Sequence, residues 1–387
     1  MQKTAIVCVT NDLSTDQRVN KTCMTLQKCG YWVIETGRLL PESLPLERSY
    51  FTLRKKLWFR KGPQFYAEFN IRLFLYLMTA EVDLIFANDL DTLPAAYLAA
   101  KFRKKRLVYD THEYFTETPE LVSRPRTQAI WKKFEDYLFP KLTDILTVNA
   151  SIAKLYGDKY NKTVHVSRNI PPTFAPERLK TRIELGLPEN KRIMILQGTG
   201  INVQRGAEEI VLAMQYLENV ALLVVGSGDV FPTLQKMVKK HNLQDKVIFK
   251  TKMPFTELRQ YTMNCDLGLA IDKDTNLNYH FSLPNKLFDY IHSGIPTLSS
   301  GLVELKQIID QYDIGYYIQN HDPKHIASVV EGIFANETRY NAVKQNTVKA
   351  KEELCWENEE KVLIEMINKQ LLVLEKQIKL NNEKTDT

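Results

Sequence analysis

The stretch RIMILQGTGINVQRGAEEI, residues 192–210, passes from an apolar strand through a Gly-Thr-Gly loop into a helix. The same order returns in ALLVVGSGD, residues 221–229, where a buried strand ends in Gly-x-Gly and a helix is predicted over 231–242. Strands and helices in regular alternation are typical of a parallel sheet with helices on both faces. This part of the chain therefore predicts a doubly wound α/β domain.

The same alternation extends to both sides of this stretch. Further strands are predicted at 4–10, 31–37, 82–89, 106–112, 144–150, 246–252, 266–271 and 296–300. Four prolines between residues 168 and 190 interrupt the pattern and mark a change of domain. We predict two Rossmann-like, doubly wound parallel-sheet domains that hold a ligand in the cleft between them. The predicted boundaries are a domain at 1–170, a linker at 171–190, a second domain at 191–345 and C-terminal helices at 346–387.

Composition limits the class of protein. The chain has 387 residues, of which 44% are hydrophobic and 25% charged, as in ordinary soluble proteins. Its five cysteines lack metal-ligand spacing, and their odd number argues against a disulfide framework. No apolar run reaches the roughly 18 residues of a membrane-spanning helix. These features predict a cytoplasmic protein.

Positive charge is concentrated in two segments, although the net charge is only +6. RSYFTLRKKLWFRK, residues 48–61, mixes six basic residues with aromatic ones, and KFRKKR, residues 101–106, has five basic residues in six. Such segments favour contact with an anionic membrane surface. The alternative is a solvated helix face and a positive loop. Nucleic acid is disfavoured because no binding motif accompanies the charge.

The glycine loops of the second half indicate a phosphate site. Gly198, Thr199 and Gly200 follow a strand, and Arg205 stands where the next helix begins, so that backbone N–H groups and a guanidinium could bind a diphosphate. Arg205 could instead pair with Glu208 or Glu209. Gly226 and Gly228 form a tight turn. A dinucleotide site is disfavoured there, because Phe231 stands at the third glycine position of Gly-x-Gly-x-x-Gly.

The segment FSLPNKLFDYIHSG, residues 281–294, predicts a helix that begins beside Lys286 and ends at Gly294. The N-terminus of a helix is already positive. A lysine at this position therefore makes sense if an anion lies between it and the helix.

Polar residues also follow the strands of the first half. His112 and Glu113 come after the strand at 106–112, Asp12, Asp16 and Arg18 follow the first strand, and Asp89 and Asp91 follow the strand at 82–89. The carboxyl ends of parallel strands are where α/β domains hold their ligands. The alternatives are a structural histidine beside Asp110, helix capping by Asp16 and a surface position for Arg18. A metal site is disfavoured because no His or Glu cluster accompanies the paired aspartates.

Together these segments resemble a retaining glycosyltransferase of the GT-B type, family 4. The resemblance runs from TNDLSTDQRV through YDTHEYF, QGTGINVQRG and VVGSGD to SLPNKLFDYIHSGIPTLSS. It implies a nucleotide-sugar donor, a UDP- or GDP-sugar, bound mainly by the second domain, and an acceptor bound mainly by the first. It also implies C-terminal helices that cross back to the first domain. The implied donor-binding residues are Gly198, Thr199, Gly200, Arg205, Gly226, Gly228, Ser282, Leu283, Pro284, Asn285, Lys286 and Asp289. The implied acceptor-side residues are Asp12, Asp16, Arg18, Asp89, Asp91 and Glu113.

The chain departs from the family pattern at two positions. The family has two glutamates eight positions apart before the glycine that ends this segment, and they touch the donor sugar and the ribose. Asp289 stands at the second position, whereas Phe281 stands at the first and cannot accept a hydrogen bond from a hydroxyl. Thr199 replaces one of two basic residues at the diphosphate. We expect Lys286 to replace that cation, unless it reaches solvent or pairs with Asp289.

The resemblance implies His112, Arg205 and Lys286 as catalytic residues, with His112 near the reacting carbon. It implies no cofactor and no metal, because fixed cations stabilise the leaving phosphate. We expect transfer to a glycan or lipid-linked acceptor in surface polysaccharide assembly, at the inner face of the cell membrane. Two alternatives stay open. One is a nucleotide-sugar epimerase on the same fold, and the other is a non-catalytic partner subunit.

Overall fold

The computed structural model describes residues 2–14, 16–41 and 43–368. This part of the chain divides into two compact units. The first contains residues 2–169 and 359–368, and the second contains residues 170–358.

The first unit is built on a seven-stranded sheet in which every neighbouring pair is parallel. Its strands are β1 (Thr4–Asp12), β2 (Trp32–Arg38), β3 (Phe51–Lys55), β4 (Leu84–Asn88), β5 (Arg106–Thr111), β6 (Asp144–Thr147) and β7 (His165–Val166). Their order in the sheet is β3-β2-β1-β4-β5-β6-β7. Its helices are α1 (Gln17–Lys28), α2 (Gly62–Thr79), α3 (Leu93–Arg103), α4 (Pro119–Val122), α5 (Pro125–Leu138) and α6 (Ala150–Tyr160). A further helix spans residues 356–368, of which residues 359–368 belong to this unit.

The strand order determines which face each helix covers. α2, α3, α5 and α6 each lead to a strand further toward β7, whereas α1 leads the opposite way, from β1 to β2. Because such connections are right-handed, the first four helices lie on one face and α1 on the other. On the α1 face, Val19 and Leu26 pack with Val7 of the sheet and with Leu363 and Ile367 of the helix at 356–368. Both faces of the sheet are therefore covered.

The second unit has a six-stranded parallel sheet of order β10-β9-β8-β11-β12-β13. Its strands are β8 (Arg192–Gly198), β9 (Val220–Gly226), β10 (Val247–Thr251), β11 (Leu267–Ala270), β12 (Thr297–Ser299) and β13 (Gly315–Tyr317). Its helices are α7 (Ala207–Ala213), α8 (Phe231–Lys240), α9 (Phe255–Thr262), α10 (Leu277–His280), α11 (Asn285–Ser293), α12 (Val303–Tyr312), α13 (Pro323–Ala335) and α14 (Glu337–Glu353).

Alternation along β8 explains why this sheet is buried on both faces. Met194 and Leu196 face one core, which contains residues of α7, α8 and α13. Ile193 and Ile195 face another core, to which Tyr290 of α11 and Tyr261 of α9 contribute. Side chains of a strand point alternately to opposite faces, so a continuous apolar run such as RIMIL fills both cores.

The predicted fold class is confirmed, since both units are parallel-sheet α/β domains. The structure differs from the sequence prediction at the boundaries. The predicted linker at 171–190 lies within the second unit, because Leu185 and Leu187 pack into its core. Within the predicted C-terminal helices, α14 belongs to the second unit and residues 359–368 belong to the first, while residues 369–387 lie outside the described residues.

Each sheet reverses its strand order once, between β1 and β4 in the first unit and between β8 and β11 in the second. Ligands of open α/β sheets bind at the carboxyl ends of the strands beside such a reversal. Among the residues predicted to bind ligands, Asp89 and Asp91 follow β4, and Thr199 and Gly200 follow β8, whereas His112 follows β5 and Gly228 follows β9. Among the described residues, no helix is both long and apolar enough to span a membrane.

Candidate functional site

The site of the second unit begins with two glycine loops that are bonded to each other. Ser227 N–H donates to the carbonyl oxygen of Gly198 at 3.1 Å, and Ile201 N–H donates to the carbonyl of Ser227 at 2.9 Å. Gly226 has φ +133°, and a Cβ there would lie 1.8 Å from the carbonyl oxygen of Gly198. A Cβ on Gly228 would lie 2.1 Å from the carbonyl oxygen of Ile201. These two glycines are therefore required by close backbone approach, whereas a Cβ on Gly200 would lie 3.8 Å from its nearest neighbour, an ordinary van der Waals distance.

Two cations meet at a buried carboxylate beside these loops. Asp272 follows β11 and is fully buried. Its Oδ1 accepts a hydrogen bond from Lys286 Nζ at 3.1 Å, and its Oδ2 lies 3.4 Å from Arg205 Nη1. The Arg205 guanidinium also lies over the ring of Tyr279, 4.8 Å from its centre. Asp272 therefore holds Arg205 and Lys286 at one place, on the edge of the sheet where β8 and β11 end.

The electrostatics of this cluster favour an anion. Burial lowers the pKa of Lys286, Asp272 opposes that shift, and the nearby Arg205 adds to it. Arg205 and Lys286 therefore share one carboxylate, that of Asp272. Two positive side chains at one place favour the approach of an oxyanion.

The start of α11 lies at the same cluster. The helix begins at Asn285 with Pro284 at its N-cap, and Gly294 ends it with φ +69°. The hydroxyl oxygen of Ser282, just before the helix, is buried and has no hydrogen-bond partner among the described residues. Leu283 packs against the neighbouring core. An unpaired hydroxyl just before a helix N-terminus is a suitable partner for an oxyanion.

The alternative in which Lys286 pairs with Asp289 is wrong, because each of these side chains contacts a different residue. Asp289 Oδ2 accepts a hydrogen bond from Gln197 Nε2 at 3.0 Å, and Gln197 Oε1 accepts one from the hydroxyl of Thr262 at 2.8 Å. Lys286 is paired with Asp272, and its side chain is only 10% exposed, so it does not reach into solvent. Phe281 packs its ring edge against His280, with the ring centres 4.5 Å apart.

In the first unit, Arg18 and Asp110 form a buried ion pair. Arg18 Nε and Nη2 donate to the two carboxylate oxygens of Asp110 at 2.9 and 2.6 Å, and Nη1 donates to the carbonyl of Ser167 at 2.7 Å. Burial alone would raise the pKa of Asp110, but Arg18 and His112 hold it well below its usual range. The alternative that Arg18 is a surface residue is wrong, because its side chain is only 5% exposed.

His112 is held by three residues at the carboxyl ends of β4 and β5. Its backbone N–H donates to Asp89 Oδ1 at 2.8 Å, and its Nδ1 lies 3.3 Å from Asp89 Oδ2. Its Nε2 lies 3.1 Å from Asn88 Oδ1 and 3.5 Å from Asp110 Oδ2. Burial alone would lower the pKa of His112, but Asp89 and Asp110 raise it to about 9. His112 is therefore an imidazolium at neutral pH.

Asp91 lies near Asp89, and its pKa is shifted in the opposite direction from that of Asp110. Its Oδ2 accepts a hydrogen bond from the hydroxyl of Thr10 at 2.6 Å, and its Oδ1 is buried with no partner among the described residues. Burial and the neighbouring Asp89 raise the pKa of Asp91 to about 7. A carboxyl group that titrates near neutrality can accept or donate a hydrogen bond to a hydroxyl.

The remaining predicted residues of the first unit have local roles in the structure. Asp16 is the N-cap of α1, where its Oδ1 accepts from Val19 N–H at 3.0 Å. Asp12 Oδ1 accepts from Ser14 N–H at 3.1 Å. The backbone carbonyl of Glu113 accepts from the hydroxyl of Thr111 at 2.8 Å. Capping and turn formation thus account for contacts of Asp12 and Asp16, whereas Arg18, Asp89 and His112 come together with Asp110.

Asp272 is a residue of the site that was not predicted from the sequence. Its only sequence signal is a carboxylate directly after the apolar strand DLGLAI. No group of three His, Cys, Asp or Glu side chains within the described part of the chain is arranged to hold a metal ion.

Comparison with known proteins adds a family match and a set of related structures. Residues 177–350, somewhat less than half of the chain, match the family described as glycosyl transferases group 1. Sucrose-phosphate synthase from Thermosynechococcus elongatus superposes with a TM-score of 0.75 at 16% identity, over 96% of this chain and 100% of that one. Anabaena HepE in complex with UDP and glucose gives a TM-score of 0.72 at 12% identity, over 95% of this chain and 100% of that one.

A third similar structure is WaaG, described as a glycosyltransferase involved in lipopolysaccharide biosynthesis. It gives a TM-score of 0.62 at 13% identity, over 92% of this chain and 99% of that one. No curated protein matches the chain. TM-scores of this size show that the fold is GT-B, and together with the family match they support a GT-B glycosyltransferase.

Proposed function

We propose that the protein is a retaining glycosyltransferase, which moves a sugar from a UDP- or GDP-sugar to a glycan or lipid-linked acceptor during assembly of a surface polysaccharide or related glycoconjugate. The observation that carries this proposal is the pair of cations, Arg205 and Lys286, held by Asp272 beside the start of α11. Further support comes from the group 1 match at 177–350 and from HepE, whose structure contains UDP and glucose.

The donor diphosphate would bind between Lys286, Arg205 and the N-terminus of α11. Its oxygens would accept hydrogen bonds from these two cations, and the hydroxyl of Ser282 would supply a further hydrogen-bond donor. Asp289, fixed by Gln197 at the end of β8, would accept a hydrogen bond from the ribose. Phe281 stands where the family has the glutamate that contacts the donor sugar, and its side chain cannot accept a hydrogen bond. Other residues would therefore recognise the sugar.

The first unit would supply the acceptor side and an imidazolium. His112 is charged at neutral pH and can donate a hydrogen bond, which suits a hydroxyl oxygen of the donor sugar. Asp91, with one unpaired oxygen and a pKa near neutrality, would bind an acceptor hydroxyl. Asp89 and Arg18 are positioning residues, because they act through His112 and Asp110.

The reaction that this arrangement would serve is a same-face displacement. The bond between the anomeric carbon and the diphosphate oxygen breaks, and a bond from that carbon to the acceptor oxygen forms on the same face. The acceptor proton passes to the departing phosphate. Arg205 and Lys286 would stabilise the charge that develops on that phosphate, a task that Mg²⁺ or Mn²⁺ performs in other transferases. We therefore propose metal-independent activity, which should survive EDTA.

The test is a transfer assay with purified protein, a panel of UDP- and GDP-hexoses and lipid-linked acceptors extracted from membranes. We expect release of one nucleoside diphosphate, a glycosylated product with the anomeric configuration of the donor, and unchanged rates in EDTA. The Arg205→Ala and Lys286→Ala variants should lose this activity, while Lys349→Ala, an exposed residue of α14, should retain it.

Two other results would contradict the proposal. Conversion of the nucleotide sugar to an epimer without any acceptor would identify an epimerase. Turnover of no donor in the panel, with or without acceptor, would favour a non-catalytic partner subunit.

A further inference from the structure

Three helices of the first unit expose large apolar side chains where a surface helix ordinarily carries polar ones. Ile71 and Leu75 of α2 are 61% and 58% exposed, and Phe102 of α3 is 66% exposed. The other exposed apolar residues on these helices are Leu98 of α3 and Ile130, Phe134 and Tyr137 of α5. They recur three or four positions apart, so each helix has one apolar stripe directed away from the core.

These stripes form one surface. α2, α3 and α5 lie on the same face of the sheet, and α3 packs against both α2 and α5. The rings of Phe74 and Phe102 meet across α2 and α3, with their centres 6.3 Å apart. Contiguous exposed apolar surface of this kind marks an interaction site. We call this surface the three-helix face and define it by Ile71, Leu75, Leu98, Phe102, Ile130, Phe134 and Tyr137.

A fixed tryptophan stands at one end of the three-helix face. Trp58, in the loop before α2, is 82% exposed. Its backbone N–H donates to the carboxylate of Glu68 on α2 at 3.0 Å, and the Arg72 guanidinium lies over its ring, 4.5 Å from the centre. The structure thus holds a large indole in solvent, although burial would be favourable. Tryptophan in such a position is typical of a side chain that enters a membrane interface.

The charge around the three-helix face is positive. Lys101 precedes Phe102, Lys133 precedes Phe134, and Arg60 and Lys61 follow Trp58, all of them exposed. Among the acids on α2 and α5, Glu68 is paired with Arg72, Glu135 is buried, and Asp136 is paired with Lys159. Positive charge next to exposed apolar groups fits an anionic lipid surface. It opposes self-association, because a second copy would bring the same charges together.

Most basic side chains of the segment at 101–106 are not available for contact with lipid. Arg103 donates to the carbonyl oxygens of Leu77 and Ala80 at the end of α2, Lys105 pairs with Asp83, and Arg106 pairs with Asp144. Three of its five basic side chains therefore stabilise the fold. Lys101 is left on the three-helix face, so the helices and not this segment define the surface.

We propose that the three-helix face docks the protein on an anionic lipid membrane, with the apolar stripes in the interfacial layer and the lysines and arginines at the lipid phosphates. This inference rests on the proposed function, since it specifies that the acceptor is carried by a lipid in that membrane. Membrane binding and donor binding belong to different units of the chain, so they can be measured independently.

The test is flotation of the purified full-length chain with two kinds of vesicle, one of phosphatidylcholine alone and one that also contains phosphatidylglycerol, at low and high salt. We expect binding to the anionic vesicles, weakened by salt, and much weaker binding to the neutral ones. Ile71→Glu and Phe102→Glu should each reduce partition about tenfold. Lys133→Glu should reduce it about fivefold or more, since each basic residue near the surface contributes on the order of 1 kcal/mol.

The matched control is Ile183→Glu, which changes an isoleucine of the second unit that is 67% exposed. It should leave partition unchanged. Equal losses for Ile71→Glu and Ile183→Glu would overturn the proposal, as would failure of the wild-type chain to float with anionic vesicles at low salt. A concentration-dependent dimer in sedimentation that Ile71→Glu abolishes would assign the face to a second copy instead. If the wild-type chain floats with anionic vesicles but binds no nucleotide, the proposed function fails while this inference stands.

Discussion

Asp272 is the residue on which the proposed donor site depends. It holds Lys286 and Arg205 together, and its negative charge opposes the effect of burial on the pKa of Lys286. The groups that face Lys286 are thus one carboxylate, which favours its charged form, and one guanidinium, which disfavours it. The sequence indicated both cations but not the carboxylate between them, because a single aspartate after a strand resembles many turn residues.

The Asp272→Asn variant should make nucleotide affinity depend on pH. Without the carboxylate, the pKa of Lys286 falls further, and the lysine loses its proton at a lower pH. Between a neutral and an alkaline pH, the UDP affinity of the variant should therefore fall more steeply than that of the wild type. Calorimetric titration at both pH values measures this difference. Asp274→Asn, an exposed carboxylate on the same loop, is the control, and parallel pH profiles for wild type and Asp272→Asn would contradict the assigned role.

His112 predicts a second pH effect. Its folded-state pKa of about 9 lies above the ordinary value, so its ion pairs stabilise the fold fully below about pH 6.5 and are lost as pH rises through about 9. In Asp89→Asn the pKa of His112 should fall, and this stabilisation should disappear at a lower pH. Asparagine tolerates the positive φ of 59° found at Asp89.

Histidine proton resonances followed by NMR from about pH 6 to about pH 10 give the pKa directly. Urea unfolding at the same pH values gives the stability. Asp158→Asn, which breaks the exposed pair with Lys154, should change neither result. If the pKa of His112 is the same in Asp89→Asn as in the wild type, Asp89 is not a positioning residue for His112.

At the scale of elements, apolar patterning predicted most of the two sheets. β1, β4, β8 and β9 lie where continuous apolar runs indicated, because buried strands of parallel sheets are apolar on both faces. β3 was missed because its two adjacent basic residues, Arg54 and Lys55, favoured a membrane-binding interpretation, yet it is an edge strand whose side chains are partly exposed. β13 has three residues, too few for periodicity to show.

The glycine loops at the ends of β8 and β9 give a test at this scale. Gly226→Ala should destabilise the second unit by about 2 kcal/mol or more, because the new Cβ would overlap the carbonyl oxygen of Gly198 and the backbone has φ +133°. Gly200→Ala is the matched control, since its nearest neighbour to a new Cβ lies at 3.8 Å. Urea unfolding of both variants provides the comparison. Equal stability of the two would show that the loops do not depend on close backbone approach.

For the whole molecule, the sequence predicted two α/β domains but placed the boundaries by proline content. Prolines mark where strands and helices stop, but they do not show which core a segment joins. Leu185 and Leu187 pack into the second unit despite the prolines around them. The helix at 356–368 joins the first unit through Leu363, Met366 and Ile367, and through an ion pair of Glu359 with Arg168. Long-range contacts of this kind leave no local signal in the sequence.

The division into units predicts that stability can be changed in one unit alone. Ile367→Ala should destabilise the first unit by about 2–5 kcal/mol, because it removes a fully buried side chain beneath α1. Hydrogen exchange should then accelerate in β1 and α1, while UDP affinity stays that of the wild type. Ile326→Ala, equally buried in the second unit, should show the reverse pattern. Faster exchange across both units in either variant would show that the units unfold together.

The most direct test of the central claim is calorimetric titration of UDP, GDP, ADP and CMP into the purified chain and its Arg205→Ala and Lys286→Ala variants. The proposed donor site predicts that UDP or GDP binds selectively and that each substitution weakens this binding about tenfold or more, since each removes a charged partner of the diphosphate. The same nucleotide should bind Lys349→Ala normally. Absence of binding by all four nucleotides, or binding that neither substitution weakens, would contradict a donor diphosphate held by Arg205 and Lys286.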